Sequence, residues 1–245
     1  MTVRVAIVGA TGRMGTLMSR IVQETEGFEL TVGLDSKGRL PELLDADVVV
    51  DFSVPVASPP VVDFAIEHGL NVLVGTSGWT SERISSVVAK VGADPSVGVM
   101  IVPNFSLGSV LATRFAATAA RYFDSIEIIE AHGASKIDSP SGTAIRTAEL
   151  MAASRAGRGL VSAPHADQRA RGELVAGIPV HSIRLDGIVA TQEVHLGGTG
   201  EVLTLRHETL APTAYIAGIG LALRALPTAR GVTVGLESLL GLDVT

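Results

Sequence analysis

The chain has 245 residues, of which 47% are apolar, and a formal net charge of −6. This composition favours one large or two small folded domains and argues against a disordered chain. The acidic balance, without a cluster of Lys and Arg, argues against a nucleic-acid partner, because phosphate binding needs concentrated positive charge.

The sequence contains no cysteine, so disulfides, thiolate metal sites and a cysteine nucleophile are excluded. The N-terminal VRVAIVGATG has neither the basic start nor the cleavage site of a signal peptide, and no apolar run reaches membrane-spanning length. We therefore expect a cytoplasmic protein that binds no metal and no membrane.

The first predicted elements are a buried strand at Val3–Val8, a glycine turn and a helix with one apolar face. This order is typical of dinucleotide-binding domains, in which glycines let the backbone approach a pyrophosphate at the helix N-terminus. The spacing is G-x-x-G-x-x-G, whereas the standard fingerprint is G-x-G-x-x-G, so the motif depends on its context. The predicted cofactor contacts in the turn are Gly9, Thr11, Gly12, Arg13, Met14 and Gly15.

A second predicted strand, Phe28–Leu34, ends at Asp35, about twenty residues past the glycines. An acidic side chain at this position binds the adenosine ribose hydroxyls in dinucleotide-binding folds. Lys37, two residues later, could also tolerate a 2′-phosphate. The sequence therefore leaves NADH and NADPH both open, with Asp35 and Lys37 as contacts.

Further strand–loop–helix units follow, and each predicted strand ends in a short polar loop. Ligands of open parallel sheets bind beyond the carboxyl ends of the strands. We therefore predict an α/β, Rossmann-type doubly wound parallel sheet. The additional cofactor contacts that it predicts are Phe52, Ser53, Gly75, Thr76, Ser77, Pro103, Asn104 and Phe105.

The pattern changes after Asn104, where a helix over 107–121 leads into an alternating strand over 125–130. Alternating runs at 179–185, 188–196 and 202–207, with a turn at 197–200, predict a second α+β domain carrying a mixed or antiparallel sheet. A helix over 214–226 is predicted to return to the first domain. The predicted domains are 1–104, completed by 213–245, for the dinucleotide, and 105–212 for substrate binding and oligomerisation.

The stretch EAHGASKIDSPSGTA, beginning at Glu130, is the most specific motif. With GATGRMG, VVVDFS, VGTSG and VPNFS, it resembles the dihydrodipicolinate reductase (4-hydroxy-tetrahydrodipicolinate reductase) family, from Met1 to about Leu240. The family form of the motif is E-x-H-H-x-x-K-x-D-A-P-S-G-T-A, which is matched at all but two of its specified positions.

The resemblance implies a homotetrameric oxidoreductase that uses NADH or NADPH to reduce a cyclic conjugated dicarboxylic imine in the diaminopimelate and lysine pathway. It implies that His132 is the proton donor to the enamine formed by hydride addition. Lys136 matches a lysine suited to a substrate carboxylate. Ser141, Gly142 and Thr143 match the helix start that takes a carboxylate, and Asp138 would hold the loop.

Two departures from the family pattern stand out. Gly133 replaces the second histidine, so one donor to a substrate carboxylate is missing. Ala190-Thr191-Gln192 stands where the family reads G-E-H, and an expected arginine is replaced in the Ala211–Pro212 region. These changes leave two alternatives: a reductase for another small imine or carbonyl acid, or a non-catalytic nucleotide sensor. The sensor is disfavoured, because cofactor sensing needs neither His132 nor Lys136.

The remaining polar residues are interpreted as structural. No metal-ligand spacing connects the other second-half histidines, which are His165, His181, His195 and His207. Glu127 and Glu130 are expected to be solvated beside their strand. Arg184 either reaches the substrate from a neighbouring strand or lies exposed.

Overall fold

Two β-sheets organise the chain, which the computed structural model describes over residues 2–92, 95–155, 157–159 and 161–242. The predicted domain ranges also include residues 1, 93, 94, 156, 160 and 243–245, which lie outside the described residues. The strands are β1 (Val3–Val8), β2 (Phe28–Leu34), β3 (Val48–Asp51), β4 (Asn71–Val74), β5 (Gly98–Ile101), β6 (Ser125–His132), β7 (Glu173–Val175), β8 (Ile178–Arg184), β9 (Ala190–Gly198), β10 (Glu201–Thr209) and β11 (Gly231–Val234).

The α-helices are α1 (Arg13–Glu24), α2 (Ser58–Glu67), α3 (Ser81–Val91), α4 (Leu107–Ala119), α5 (Gly142–Ser154) and α6 (Ile216–Ala225). Short 3₁₀ turns lie at Leu40–Asp45, Arg169–Arg171, Pro212–Tyr215, Leu226–Thr228 and Ser238–Leu240. Among the described residues, no helix has the length and apolar character needed to cross a membrane.

The first compact unit comprises 1–105 and 215–245. Its sheet has six parallel strands in the order β11-β5-β4-β3-β1-β2. Consecutive residues of the central strands are buried, which means that both faces of the sheet are covered, as in a doubly wound fold. This confirms the predicted Rossmann-type sheet, with helices α1, α2 and α3 contacting it.

The second unit comprises 106–214 and has a five-stranded sheet in the order β10-β9-β6-β8-β7. The β6–β8 pair is parallel and the other pairs are antiparallel, so the sheet is mixed, as predicted. Alternate residues of β6 pack with apolar residues of α4 and α5 in one core. Because side chains alternate along a strand, Ile126, Ile128, Glu130 and His132 share the face of β6 that is directed towards this core.

Several predicted boundaries need correction. The turn between β9 and β10 is limited to Thr199 and Gly200, because the ladder continues through Gly198 on one side and from Glu201 on the other. Helix α1 begins at Arg13, so Met14 and Gly15 belong to its first turn. The strands β7 and β11 were not predicted.

Candidate active site

The loops at the carboxyl ends of the parallel strands meet in the first unit. The Phe52 ring after β3 lies 5.6 Å from the Phe105 ring after β5, measured between centroids. A Cβ atom on Gly75, after β4, would collide with the Phe52 ring, so glycine is required for this ring to occupy its place. The structure therefore brings together predicted cofactor residues from three loops.

The turn after β1 has the geometry of a phosphate cradle. Gly9 has φ 79° and its Cβ would collide with the carbonyl oxygen of Phe52, while a Cβ on Gly15 would collide with the carbonyl oxygen of Gly9. Gly12 is the N-cap of α1, without a side-chain cap and without an acidic residue in the first helical turn. The first N–H groups of a helix have no intrahelical acceptor, so this turn fits the pyrophosphate of NAD(P)H.

Ser53 provides a second indication that a polar ligand fits this unit. Its hydroxyl oxygen is buried and has no hydrogen-bond partner among the described residues. Its backbone N–H donates to Asp51 Oδ1 across 2.9 Å, and the fully buried Asp51 carboxylate also accepts the hydroxyl of Ser58. An unpaired buried hydroxyl is costly, and a bound cofactor group can satisfy it.

Asp35 and Lys37 lie exposed, directly after β2. The Lys37 backbone N–H donates to Asp35 Oδ1 across 2.8 Å, which leaves Oδ2 available to a ribose hydroxyl. The Leu34 carbonyl accepts the N–H groups of Gly9 and Ala10 at 2.9 and 3.0 Å. The glycine turn is thus attached to the strand end that presents Asp35.

The other predicted cofactor residues lie in the same set of loops. Thr76 is buried and its hydroxyl donates to the Asp51 carbonyl across 3.3 Å. Thr11, Arg13, Ser77 and Pro103 are exposed, and Met14 and Asn104 are partly buried.

The candidate proton donor lies at the end of β6 in the second unit. The His132 side chain is 19% exposed, and its Nδ1 lies 2.6 Å from Glu130 Oε2. An ionised carboxylate can only accept, so the Nδ1 atom carries the hydrogen of this bond. The remaining ring nitrogen, Nε2, is the one left for a ligand.

Glu130 corrects an expectation, because it is fully buried and not solvated. Burial alone would raise the pKa of Glu130, but hydrogen bonds from His132, Arg184 and Ser182 lower it from the ordinary 4.5 to about 2. The carboxylate is therefore ionised at neutral pH. Glu127 is likewise not solvated: the side chain is 26% exposed and pairs with Arg171 and with His181 Nε2, the latter at 2.6 Å.

Arg184 occupies the interior of this site. Its Nη1 and Nη2 atoms donate to Glu130 Oε2 and Oε1 across 3.0 and 2.9 Å, and Nη2 also donates to the Asp138 carbonyl across 2.5 Å. The exposed alternative is therefore wrong for Arg184. These hydrogen bonds hold Glu130 and the loop after β6, while Nε is buried and unpaired among the described residues.

Lys136 lies in that loop and pairs with Asp138. The Nζ–Oδ1 distance is 2.8 Å, and this contact to the Lys136 ammonium lowers the pKa of Asp138. Asp138 thus holds the loop through its carboxylate and through its carbonyl. A substrate carboxylate binding to Lys136 would compete with the Asp138 side chain.

The loop ends at the start of α5. Ser141 is buried, its Oγ accepts the Ala144 N–H across 3.2 Å, and its own N–H donates to Glu130 Oε1 across 3.2 Å. The Ser141 N–H is therefore occupied inside the protein. Gly142 is exposed, with open space beside its Cα, and Thr143 is partly buried in the first turn of α5.

We expect the Glu130 network to make the second unit sensitive to acid. A carboxylate whose folded pKa lies below its unfolded value stabilises the fold above the unfolded pKa, and this contribution is lost as the pH falls through the folded pKa. For Glu130 the window runs from 4.5 to about 2. Chemical denaturation across this window should show the stability difference between the native protein and Glu130→Gln narrowing by up to about 3 kcal/mol. A constant difference would contradict the assignment.

Sequence reasoning missed Glu130 as a site residue, although a signal was present. Residues two apart on a strand share a face, so Glu130 lies on the same face as His132 and the apolar Ile128. The departures from the family pattern lie nearby: Ala190 is opposite His132 and Gln192 opposite Glu130 in the β6–β9 register. Gln192 is buried, and its Nε2 donates to Thr147 Oγ1 across 3.0 Å.

Two of the remaining second-half histidines, His195 and His207, contact hydroxyl groups of the same unit. His207 Nε2 lies 3.1 Å from Ser106 Oγ, and burial lowers the pKa of His207. His195 Nδ1 lies 3.2 Å from Thr204 Oγ1, and His165 is exposed. Over the described part of the chain, no group of three or more His, Asp or Glu side chains could hold a metal ion.

Comparison with known proteins covers both units. A family model for the N-terminus of dihydrodipicolinate reductase matches residues 3–105, and one for its C-terminus matches residues 108–240. The chain is 63% identical over 243 residues to a 4-hydroxy-tetrahydrodipicolinate reductase of Clavibacter sepedonicus, covering 99% of this chain and 88% of that protein. It is 46% identical over 246 residues to the Streptomyces griseus protein of the same name, covering 98% of each.

A solved structure has the same fold throughout. The dipicolinate-bound dihydrodipicolinate reductase from Paenisporosarcina sp. TG-14 superimposes with a TM-score of 0.82 at 30% identity. The match covers 97% of this chain and 99% of that one.

Proposed function

The chain belongs to the dihydrodipicolinate reductase family, and from this membership we propose that it reduces a cyclic conjugated dicarboxylic imine with NAD(P)H. The reaction converts 4-hydroxy-tetrahydrodipicolinate, through its dihydrodipicolinate form, to tetrahydrodipicolinate. The protein is accordingly an oxidoreductase of diaminopimelate and lysine biosynthesis.

The first unit would hold the cofactor, which supplies a hydride to the substrate when bound. The turn from Gly9 to Gly15 would bind the pyrophosphate through the first N–H groups of α1. Asp35 would bind the adenosine ribose, and the buried Ser53 hydroxyl would gain a partner. The loops carrying Phe52, Gly75 and Phe105 would line the nicotinamide half.

The second unit would supply the proton. Hydride addition to a conjugated imine leaves an enamine, which must take up one proton to complete the reduction. Because His132 commits Nδ1 to Glu130, the proton would be donated from Nε2. Before this transfer the ring is doubly protonated and the Glu130 carboxylate balances its charge; after it, the neutral ring keeps its hydrogen on Nδ1.

Substrate carboxylates would be held by Lys136 and by the start of α5. The Lys136 ammonium would exchange Asp138 for the substrate, and Gly142 and Thr143 would present the helix N-terminus. The buried Ser141 would fix the conformation of the α5 N-terminus through Glu130 and Ala144. Direct contact with the substrate carboxylate would then come from Gly142 and Thr143.

One observation supports the proposal most directly: the buried Glu130 carboxylate binds His132 and the start of α5, and Arg184 connects it to the loop that carries Lys136. The test is to follow NADH and NADPH oxidation at their absorbance band with enzymatically generated dihydrodipicolinate precursor. We expect oxidation that depends on the precursor. A protein that binds NADH but is inactive with this precursor would overturn the proposed substrate and favour another small imine or carbonyl acid.

We expect both NADH and NADPH to bind, because Asp35 and Lys37 are both exposed at the ribose position. A hydrogen bond to a charged group contributes roughly 1.5–3 kcal/mol, so Asp35→Ala should weaken NADH binding about ten- to a hundredfold and NADPH binding less. Calorimetric titration measures both. Asp45→Ala removes another exposed carboxylate from the same unit and should change neither affinity. Unchanged NADH affinity in Asp35→Ala would contradict the ribose assignment.

We further propose a cytoplasmic homotetramer that assembles through the second unit. The sheet of that unit leaves apolar side chains exposed, including Ile183 at 45% and Val202 at 70%. Burying such residues between subunits would remove apolar area from water. The cytoplasmic location and the subunit number stay predictions.

A further inference from the structure

Glu130 is saturated with hydrogen bonds from three separate parts of the second unit. Oε2 accepts from His132 Nδ1 at 2.6 Å and from Arg184 Nη1 at 3.0 Å. Oε1 accepts from the Ser141 N–H at 3.2 Å and from Arg184 Nη2 at 2.9 Å. Two carboxylate oxygens offer about four acceptor sites, so these four donors already match that number, and the Ser182 side chain is a further partner.

A buried carboxylate contributes little net stability to a fold, because its loss of hydration offsets its favourable interactions. Taking a charge out of water is strongly unfavourable, and buried ion pairs can often be replaced by apolar residues without loss of stability. Stability alone therefore does not explain why a glutamate and an arginine are paired at this buried position. The partners of this pair supply an explanation, because they are the candidate proton donor, the start of α5 and, through Arg184 and the Asp138 carbonyl, the loop that carries Lys136.

The effect on His132 follows from the acceptor-only character of the ionised carboxylate. Glu130 fixes the hydrogen on Nδ1 and holds the ring through that bond, as carboxylates do for metal-bound and catalytic histidines. Nε2 is then the nitrogen that exchanges the proton. Without Glu130 the ring would be free to rotate and to adopt the other tautomer.

We propose that Glu130 is a positioning residue that sets the tautomer and orientation of His132 and, with Arg184, aligns the Lys136 loop and the start of α5 with it. The inference rests on the proposed function. It extends that function because the Glu130–Arg184 pair would determine how the proton donor and the carboxylate-binding groups are oriented. The pair would do so without contacting the reacting atoms.

The chain contains a matched control for this role. Glu127 lies three residues earlier on β6 and faces the opposite side of the sheet, where it pairs with an imidazole, His181, and a guanidinium, Arg171. Glu127→Gln and Glu130→Gln therefore make the same chemical change in two similar ion-pair environments on one strand. Only Glu130 contacts the candidate donor.

The experiment measures steady-state kinetics with the precursor, NADH affinity and thermal unfolding for both variants. We expect Glu130→Gln to lower kcat by roughly ten- to a hundredfold, the scale on which orienting carboxylates act, with a smaller change in KM and no change in NADH affinity. Glu127→Gln should retain native kcat. Native kcat in a folded Glu130→Gln protein would overturn the proposal.

A second measurement needs no folded variant of Glu130. NMR of isotope-labelled imidazole nitrogens in the native protein, with the His132 signal identified by its loss in His132→Gln, reports the tautomer directly. We expect the neutral His132 ring to carry its hydrogen on Nδ1. A neutral ring with its hydrogen on Nε2 would overturn the proposal. A native protein with the hydrogen on Nδ1 but without reductase activity would overturn only the proposed function.

Discussion

Replacing His132 by alanine should lower kcat by on the order of a hundredfold or more while leaving NADH affinity unchanged, because a positioned general acid acts in the chemical step and not in cofactor binding. The residue lies in the second unit, whereas the predicted cofactor residues Gly9 to Phe105 all belong to the first. Steady-state kinetics with the precursor and calorimetric titration of NADH measure the two effects separately.

His181→Ala is the matched control for this prediction. His181 lies on β8 and, like His132, places a ring nitrogen 2.6 Å from a glutamate oxygen of β6, in this case that of Glu127. The control therefore removes an equivalent imidazole–carboxylate contact and should leave kcat close to native. A His132→Ala enzyme with near-native kcat would exclude His132 as the proton donor.

The parallel sheet could be predicted because its signals are local. The runs Val3–Val8, Phe28–Leu34 and Asn71–Val74 form strands with the predicted bounds, because each is a short run rich in apolar residues that ends at a turn or polar loop. Val3–Val8 and Asn71–Val74 lie inside the sheet, whereas the edge strand Phe28–Leu34 alternates between partly buried and exposed residues up to Leu34. The glycine turn could be predicted from the spacing of its glycines between a strand and a helix. The collisions that a Cβ atom would make at Gly9 and Gly15 explain why both positions need glycine.

Strands β7 and β11 lacked such signals. Each has three or four residues, and β11 is only partly buried, so neither produces a long apolar or alternating run. Their positions depend on pairing: β11 pairs with β5, and its Gly231 lies opposite Gly98, far away in the sequence. Edge strands of this kind are set by tertiary contacts more than by their own residues.

The environment of Glu130 was wrongly predicted for a similar reason. A glutamate beside a strand is ordinarily solvated, and the group that neutralises this one, Arg184, lies 54 residues away. The alternation of Ile126 and Ile128 indicated the face that is directed inwards, but only the β6–β8 register shows that a guanidinium is available there. Long-range charge pairing was therefore the missing information.

Because Gly133 provides no donor to a substrate carboxylate, we expect the native enzyme to have a high KM for the precursor. Gly133→His should lower this KM. The family pattern has a histidine donor at this position, and a hydrogen bond to a charged group contributes roughly 1.5–3 kcal/mol, which corresponds to about ten- to a hundredfold in binding. A carboxylate contact distant from the reacting carbon supports ground state and transition state alike, so kcat should change less than KM.

The structure also determines how this test must be controlled. A Cβ atom at Gly133 would lie 3.2 Å from the Ile188 carbonyl oxygen, so any side chain there requires a shift of a few tenths of an ångström. Gly133→Ala isolates this steric effect, because it adds the Cβ atom beside Ile188 without adding a hydrogen-bond donor. It should leave KM unchanged or raise it. A KM that falls only in Gly133→His identifies the imidazole as the missing carboxylate contact. An equal KM in the native protein and in a folded Gly133→His variant with native kcat would mean that another side chain already binds that carboxylate.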